Sequence, residues 1–155
     1  MKITSQVLLI LAGLTLAAPG FAAKDPNINA INARIGEMQL RAFNAGPLFA
    51  MAKGKMEYNA EQAGKLAGNL KLLLDLDTSR HWPPGSDNKK YSKETRALPA
   101  IWTTYPEIGK YGKKYATAVT ELSGVAGNGL DALRSKIGAL GKSCKGCHDE
   151  YQAEK

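Results

Sequence analysis

Residues 133–151 read LRSKIGALGKSCKGCHDEY and set the architecture that we expect for the whole chain. Apolar and cysteine side chains recur here in steps of three and four, the spacing that places residues on one face of an α-helix. That inward stripe comprises Leu133, Ile137, Leu140, Cys144, Cys147 and Tyr151. A helix with such a stripe needs other helices or a sheet to cover it, so the rest of the chain must supply them.

Within this helix, Cys144-Lys145-Gly146-Cys147-His148 forms a C-x-x-C-H sequence, the attachment pattern of a c-type haem. Two thiols add across the porphyrin vinyl groups, and the histidine offers a ring nitrogen to the iron. On a helix, all three side chains can point at one flat ligand. The alternative is a redox or zinc-binding C-x-x-C. These are the only two cysteines, so no second pair completes a tetrahedral zinc site, and no thioredoxin-like strand–helix pattern surrounds them.

The N-terminus predicts export from the cytoplasm. Met1-Lys2 is a short basic start, residues 7–16 form an apolar core, and Gly20-Phe21-Ala22 fits the small-x-small cleavage rule. We therefore expect a signal peptide over residues 1–22 and a single mature domain over residues 23–155. The alternative is an uncleaved anchor, which would need a longer apolar run. Export agrees with the haem motif, because bacteria attach c-type haem outside the cytoplasm, and predicts a periplasmic protein without stable membrane insertion.

The charge balance is positive, with a formal net charge of +7 at pH 7 that falls to +6 once Lys2 is removed. An exported chain rarely meets nucleic acid, so we expect no nucleic-acid partner. The lysines are spread along the chain, which fits either a solvated surface or electrostatic docking to an acidic redox partner. We expect that partner to belong to the periplasm or to a membrane electron-transport chain. Lys142 and Lys145 are the lysines nearest the haem motif in sequence.

The N-terminal half predicts two helices. Asp25 and Pro26 form a cap and first-turn pair, and the apolar stripe that follows consists of Ile28, Ile31, Ile35 and Met38. Gly46-Pro47 is expected to kink or interrupt this first helix. Asn59 is expected to cap the second helix, which should run to about Leu76. Residues 77–97 then form a long loop rich in proline and turn residues.

The C-terminal half predicts two more helices. The third is expected from Pro99 to Leu122, residues 124–129 break it, and the fourth carries the haem motif. No segment alternates with period two over a useful length, so we predict no sheet. Four amphipathic helices favour an all-α fold, an antiparallel up-down-up-down four-helix bundle with one covalently bound haem c in its core.

Together these features resemble a known family, the cytochromes c′ and their low-spin relatives, or class II c-type cytochromes. The C-x-x-C-H sequence stands near the C-terminus, whereas ordinary cytochromes c carry it near the N-terminus. The other matching segments are Arg34 followed by Met38, Glu57–Ala60, Pro99–Trp102 and Cys144–Asp149. The resemblance spans the mature chain and implies a four-helix bundle with one haem c, either a monomer or a homodimer. One departure is Gln152, where family members often carry an arginine.

The resemblance also implies roles for two residues of the first helix. Low-spin members carry a methionine at the place of Met38, which implies that Met38 is the sixth iron ligand. High-spin members have an apolar residue there and leave the iron open to small gases such as nitric oxide. The alternative for Met38 is a core gap-filler. Arg34 is implied to contact a haem propionate, and its alternative is a solvated arginine at the bundle edge. His81 is expected at the surface.

Two functions follow as hypotheses. The first is a periplasmic electron carrier with His148 and Met38 as axial ligands, and the second is a gas-binding protein with five-coordinate iron. We do not expect an enzyme, because no distal histidine is evident to move protons during O–O cleavage. Trp102 and Tyr151 are expected to pack beside the porphyrin.

Overall fold

The computed structural model describes residues 25–154, so the predicted signal peptide over residues 1–22 lies outside the described residues. The described part contains five α-helices, α1 (Pro26–Ala52), α2 (Ala60–Leu72), α3 (Ala100–Thr103), α4 (Gly109–Ser123) and α5 (Leu130–Tyr151), and one 3-10 turn (Ser79–His81). The four long helices form a ring in which α1 packs on α2 and α5, and α4 packs on the same two helices. This arrangement confirms the predicted four-helix bundle.

Helix α1 begins as predicted but does not stop where we expected. The Asp25 carboxylate accepts a hydrogen bond from the Asn27 amide at 2.9 Å, and Pro26 occupies the first turn. The predicted interruption at Pro47 is wrong, because α1 continues without a break to Ala52. A proline in the interior of a helix lowers its stability by about 3 kcal/mol. Leu48 and Met51 in the same turn are 0% and 1% exposed, and burial of two such side chains offsets that cost at about 1.5–3 kcal/mol each.

Helix α2 has the predicted start and an earlier end. The Asn59 side chain accepts a hydrogen bond from the Gln62 amide at 2.8 Å, which confirms the N-cap. The helix ends at Leu72 rather than near Leu76, and both of these leucines are exposed. Because their side chains face solvent, they add no core packing that would extend the helix.

The predicted third helix is two helices in the structure. Helix α3 ends at Thr103, residues 104–108 form turns, and α4 starts at Gly109. Pro106 lies between them, and it lacks the amide N–H that a continuous helix would use at this place. The prediction of one continuous helix from Pro99 to Leu122 is therefore wrong, although Ile101, Tyr115, Val119 and Leu122 of this segment are buried as expected.

The core lies between the four long helices, its centre is aliphatic, and Cys144 of the haem motif packs against it. The fully buried large side chains are Ile31, Leu48, Met51, Leu70, Val119, Leu122, Leu133 and Leu140. Within residues 25–154 there is no strand, only an isolated bridge between Ala97 and Gln152 that fastens the long loop to the end of α5. None of the helices in this part of the chain is long and apolar enough to cross a membrane.

Candidate haem-attachment site

The haem motif lies in the last two turns of α5, with Cys144 and Cys147 half-buried and His148 exposed. The two cysteines are not joined in a disulfide. Burial raises the pKa of both thiols, and the neighbouring Cys144 raises that of Cys147 further. Burial therefore favours the neutral, protonated form of both thiols. Among the residues that the structure describes, no cluster of three His, Cys, Asp or Glu side chains offers a metal site, which disfavours zinc.

Helix α4 packs against the motif through Tyr111. A Cβ atom added to Gly146 would lie 3.5 Å from the Tyr111 ring, an ordinary van der Waals distance, so this ring lies directly over the motif backbone. Tyr111 meets Tyr151 edge to face at 5.5 Å between ring centroids, and the Tyr151 hydroxyl lies 3.0 Å from the Thr104 hydroxyl. Tyr151 therefore packs against Tyr111 of α4 at this end of the bundle, and its expected place beside the porphyrin stays a prediction.

Polar groups from α1 and α4 meet beside Cys144. The Arg41 guanidinium lies 4.4 Å above the Tyr115 ring, and burial raises the pKa of the Tyr115 phenol. Within residues 25–154, the Arg41 Nε and the Tyr115 hydroxyl are buried and have no hydrogen-bond partner. Buried polar groups are normally paired. Two protonated thiols, an imidazole and orphaned buried donors therefore fit a site where a large prosthetic group, such as haem c, completes the contacts between helices.

Met38 lies one turn after Arg34 on α1, the helix that packs directly against α5. Its side chain is 37% exposed, whereas the core methionine Met51 is 1% exposed. A gap-filling role thus describes Met51 and not Met38. Met56 lies beyond the end of α1 and is exposed. The structure therefore leaves Met38 as the methionine of α1 whose thioether is not enclosed by the core, and iron ligation stays a prediction.

Arg34 is buried and anchors the long loop. It is 2% exposed and donates hydrogen bonds to the Ser86 hydroxyl at 2.7 Å, the Ser86 carbonyl, the Thr95 hydroxyl at 3.0 Å and the His81 carbonyl at 3.4 Å. Burial lowers the pKa of its guanidinium. This geometry rules out the solvated arginine of the alternative hypothesis. The described hydrogen bonds come from the Nη1 and Nη2 groups of Arg34, and none comes from its Nε. Contact between Arg34 and a haem propionate stays a prediction.

Two tryptophans enclose the same guanidinium. It lies 5.0 Å from the Trp82 ring centroid and 5.9 Å from that of Trp102, and the Trp102 indole N–H donates to the Trp82 carbonyl at 3.0 Å. Cation–π contacts of this kind add to the hydrogen bonds of Arg34. Trp102 is therefore held beside the Arg34 guanidinium by its hydrogen bond to Trp82.

Glu37 is a site residue that sequence reasoning missed. It is 5% exposed, forms an ion pair with Arg41 one turn later, and lies 3.1 Å from His81 Nδ1 through Oε2. His81 was expected at the surface, but its side chain is only 21% exposed. The i,i+4 spacing of Glu37 and Arg41 was a readable signal. The contact with His81 was not, because it joins residues 44 positions apart.

A bundle of four long helices with a C-terminal haem-attachment sequence defines the class of c-type haem proteins built on helix bundles. Comparison with known proteins narrows this to one family. The family model described as Cytochrome C′ matches residues 29–152, and the chain therefore belongs to the cytochrome c′ family. Proteins of this family carry one covalent haem c with iron.

Individual relatives match this chain over nearly their whole length. A cytochrome c′ from Cereibacter sphaeroides is 35% identical, with 95% of this chain and 98% of the relative covered. The solved cytochrome c′ from Rhodobacter Spheriodes gives a TM-score of 0.81 at 35% identity, covering 85% of this chain and all of that one. A cytochrome c prime variant from Alcaligenes xylosoxidans, solved with bound NO, gives 0.71 at 28% identity, with 83% and 97% covered.

Proposed function

We propose that this member of the cytochrome c′ family is a periplasmic electron carrier. In this proposal Cys144 and Cys147 bind the haem covalently, His148 is the proximal ligand and Met38 is the sixth ligand. The observation that carries it is the placement of Met38 on α1, beside α5, with a thioether that the core does not enclose. Methionine sulfur is a soft donor for haem iron, and His/Met ligation raises the reduction potential.

The bound haem supplies one-electron chemistry through its iron, and the protein residues set the conditions for it. His148 and Met38 would remain the two axial ligands of the iron in both oxidation states, so little rearrangement would accompany electron transfer. Tyr111, Tyr115 and Tyr151 exclude water from the α4–α5 side of the motif. None of these roles requires a substrate pocket or a proton donor, so we propose a carrier rather than an enzyme.

The absorption spectrum in both oxidation states tests this proposal. We expect sharp low-spin bands in the reduced protein and a weak near-infrared band from sulfur–ferric ligation in the oxidised protein. A broad high-spin spectrum in both states would contradict Met38 ligation.

The second candidate is a gas-binding protein with five-coordinate iron. It is favoured by the bound NO in the structure of the Alcaligenes xylosoxidans relative. The same spectrum separates the two candidates, and carbon monoxide addition extends the comparison. A five-coordinate protein binds carbon monoxide on mixing, whereas a six-coordinate one must first lose Met38 and binds it slowly.

Export and assembly complete the proposal. We propose that residues 1–22 are removed, so that N-terminal sequencing of the periplasmic protein begins at Ala23; a sequence that begins at Met1 would contradict cleavage. The family includes monomers and homodimers. Leu40 and Phe43 of α1 and Leu72 of α2 are 52%, 76% and 67% exposed, and they supply the apolar surface of any homodimer. Sedimentation of wild type and Phe43→Lys measures whether that surface is used.

A further inference from the structure

We propose that an acidic redox protein docks on a groove between α4 and α5, an inference that rests on the electron-carrier function. The groove is lined by Lys113, Lys114, Thr117, Ala118 and Glu121 of α4 and by Ala139, Lys142 and Ser143 of α5. We call this surface the lysine groove. Three lysines and one carboxylate, from two helices, thus line one surface.

The lysine groove is net positive, because its three lysines outnumber its one carboxylate, Glu121, and that carboxylate is paired with Lys136 outside the groove lining. The other lysines of α4 and α5 have carboxylate partners: Lys110 pairs with Glu107, Lys136 with Glu121 at 2.9 Å, and Lys145 with Asp149 at 2.6 Å. Within residues 25–154, none of the three groove lysines has a carboxylate within 4.0 Å. The groove ammonium groups therefore remain available to carboxylates from another protein.

This pattern refines the expectation from sequence. Lys142 and Lys145 both stand near the haem motif, but Lys145 Nζ bonds both Asp149 oxygens, at 2.7 and 2.6 Å. Lys145 is therefore locally neutralised, whereas Lys142 adds to the charge of Lys113 and Lys114 from the facing helix. The i,i+4 spacing along α5 indicates the Lys145–Asp149 pair, whereas the grouping of Lys142 with Lys113 and Lys114 depends on how α4 faces α5.

The lysine groove adjoins the attachment site. Ser143 lines the groove, and the next residue, Cys144, is the first haem thioether position in the proposed function. A partner seated there lies beside the segment that holds the haem. One electron then passes between the partner's redox centre and the haem iron, so that one is oxidised as the other is reduced and no covalent bond changes. Complementary charge raises the encounter rate and orients such pairs.

The test uses the haem-loaded protein and flavodoxin, an acidic one-electron protein, as the probe. The groove variant is Lys113→Gln, Lys114→Gln and Lys142→Gln together. Flavodoxin hydroquinone gives one electron to the ferric protein and becomes the semiquinone. We expect the second-order rate constant at low ionic strength to fall about tenfold or more in the groove variant, within the range of electrostatic steering.

A matched control removes the same charge elsewhere. Lys55, Lys71 and Lys93 are exposed, and within residues 25–154 they also have no carboxylate partner. Their triple change to glutamine should slow the reaction by less than about threefold, because it lowers the net charge equally but leaves the groove intact. Equal slowing of both variants would overturn the docking site.

Two further measurements separate docking from the carrier function. Reduced lumiflavin is small and lacks the clustered carboxylates of flavodoxin, so it should reduce wild type and both variants at nearly the same rate. A wild type that takes no electron from it would overturn the carrier function. Docking is judged independently by amide chemical shifts of the ferrous protein with oxidised flavodoxin. Shifts should cluster at the lysine groove, and shifts centred instead on the exposed apolar residues of α1 and α2 would refute the site.

Discussion

Replacing Met38 by alanine separates iron ligation from packing, because Met51 of the same helix provides a matched control. Full burial of a methionine side chain contributes about 1.5–3 kcal/mol. Met38 is 37% exposed, so the packing lost in Met38→Ala is about 1–2 kcal/mol. Met51 is 1% exposed, and Met51→Ala should lose about 2–5 kcal/mol, since a cavity is added to the lost transfer energy. On packing alone, the control is the more damaging substitution.

The changes in the absorption spectrum should follow the opposite order, with the larger change in Met38→Ala. Met38→Ala is expected to convert the haem iron to high spin, abolish the near-infrared sulfur band and admit carbon monoxide on mixing. Met51→Ala should keep the low-spin spectrum, because Met51 belongs to the aliphatic core. Urea denaturation gives the free energy of unfolding for each variant, and absorption spectra in both oxidation states report the ligands. If Met38→Ala keeps the wild-type spectrum, Met38 is not a ligand and the gas-binding candidate replaces the carrier.

Three further predictions concern stability and attachment. Arg34→Met should lower the free energy of unfolding by about 3 kcal/mol or more, since each buried acceptor left unpaired costs about 1–3 kcal/mol; a loss below about 1 kcal/mol in urea denaturation would contradict the anchoring role. Acid–acetone extraction should leave haem on wild type, and Cys144→Ser with Cys147→Ser should release any haem that is bound; free haem from wild type would disprove covalent attachment. The Tyr91 hydroxyl and the Asn27 amide hold the pKa of Asp25 below its usual value. The stability from this carboxylate is therefore present at neutral pH and is lost as the pH falls through its lowered pKa, so wild type and Asp25→Asn should differ at pH 7 and converge in acid; an equal difference at both pH values would contradict the assignment.

The sequence predicted those features that depend on neighbours along the chain. Helix periodicity located the four long helices, and the caps at Asp25 and Asn59 marked two starts, because a side-chain oxygen reaches an amide two or three residues on. The failures at Pro47 and Pro106 have one cause. Proline removes the same hydrogen bond at both places, and only tertiary packing decides whether the helix continues. Leu48 and Met51 supply that packing after Pro47, whereas Tyr105 and Pro106 are exposed.

The candidate haem site likewise contains features set by neighbours along the chain and features set by tertiary packing. Cys144, Cys147 and His148 were readable because one helical turn places them together. The pairing of Lys145 with Asp149 was also readable, because these residues are four apart on one helix. Burial of Arg34, the Glu37–His81 contact and the charge of the lysine groove were not readable. The first two need the long loop to fold back on α1, and the relative charge of the lysine groove needs α4 to face α5.

The contacts of the α1 turn that precedes Met38 bear on which candidate function is correct. Arg34, one turn before it, is fixed by hydrogen bonds to Ser86 and Thr95, and Glu37, directly before it, is held by Arg41 and His81. The α1 backbone at Met38 is therefore tied to the loop and cannot shift without breaking buried polar contacts. A gas-binding pocket needs a distal residue that yields to the incoming ligand, whereas an electron carrier gains from ligands that stay in place. The anchoring of this turn thus supports the carrier. It also predicts that Glu37→Gln, which weakens the anchor without touching the thioether, should quicken carbon monoxide binding while leaving the low-spin spectrum in place; an unchanged binding rate would show that the anchor does not restrain Met38.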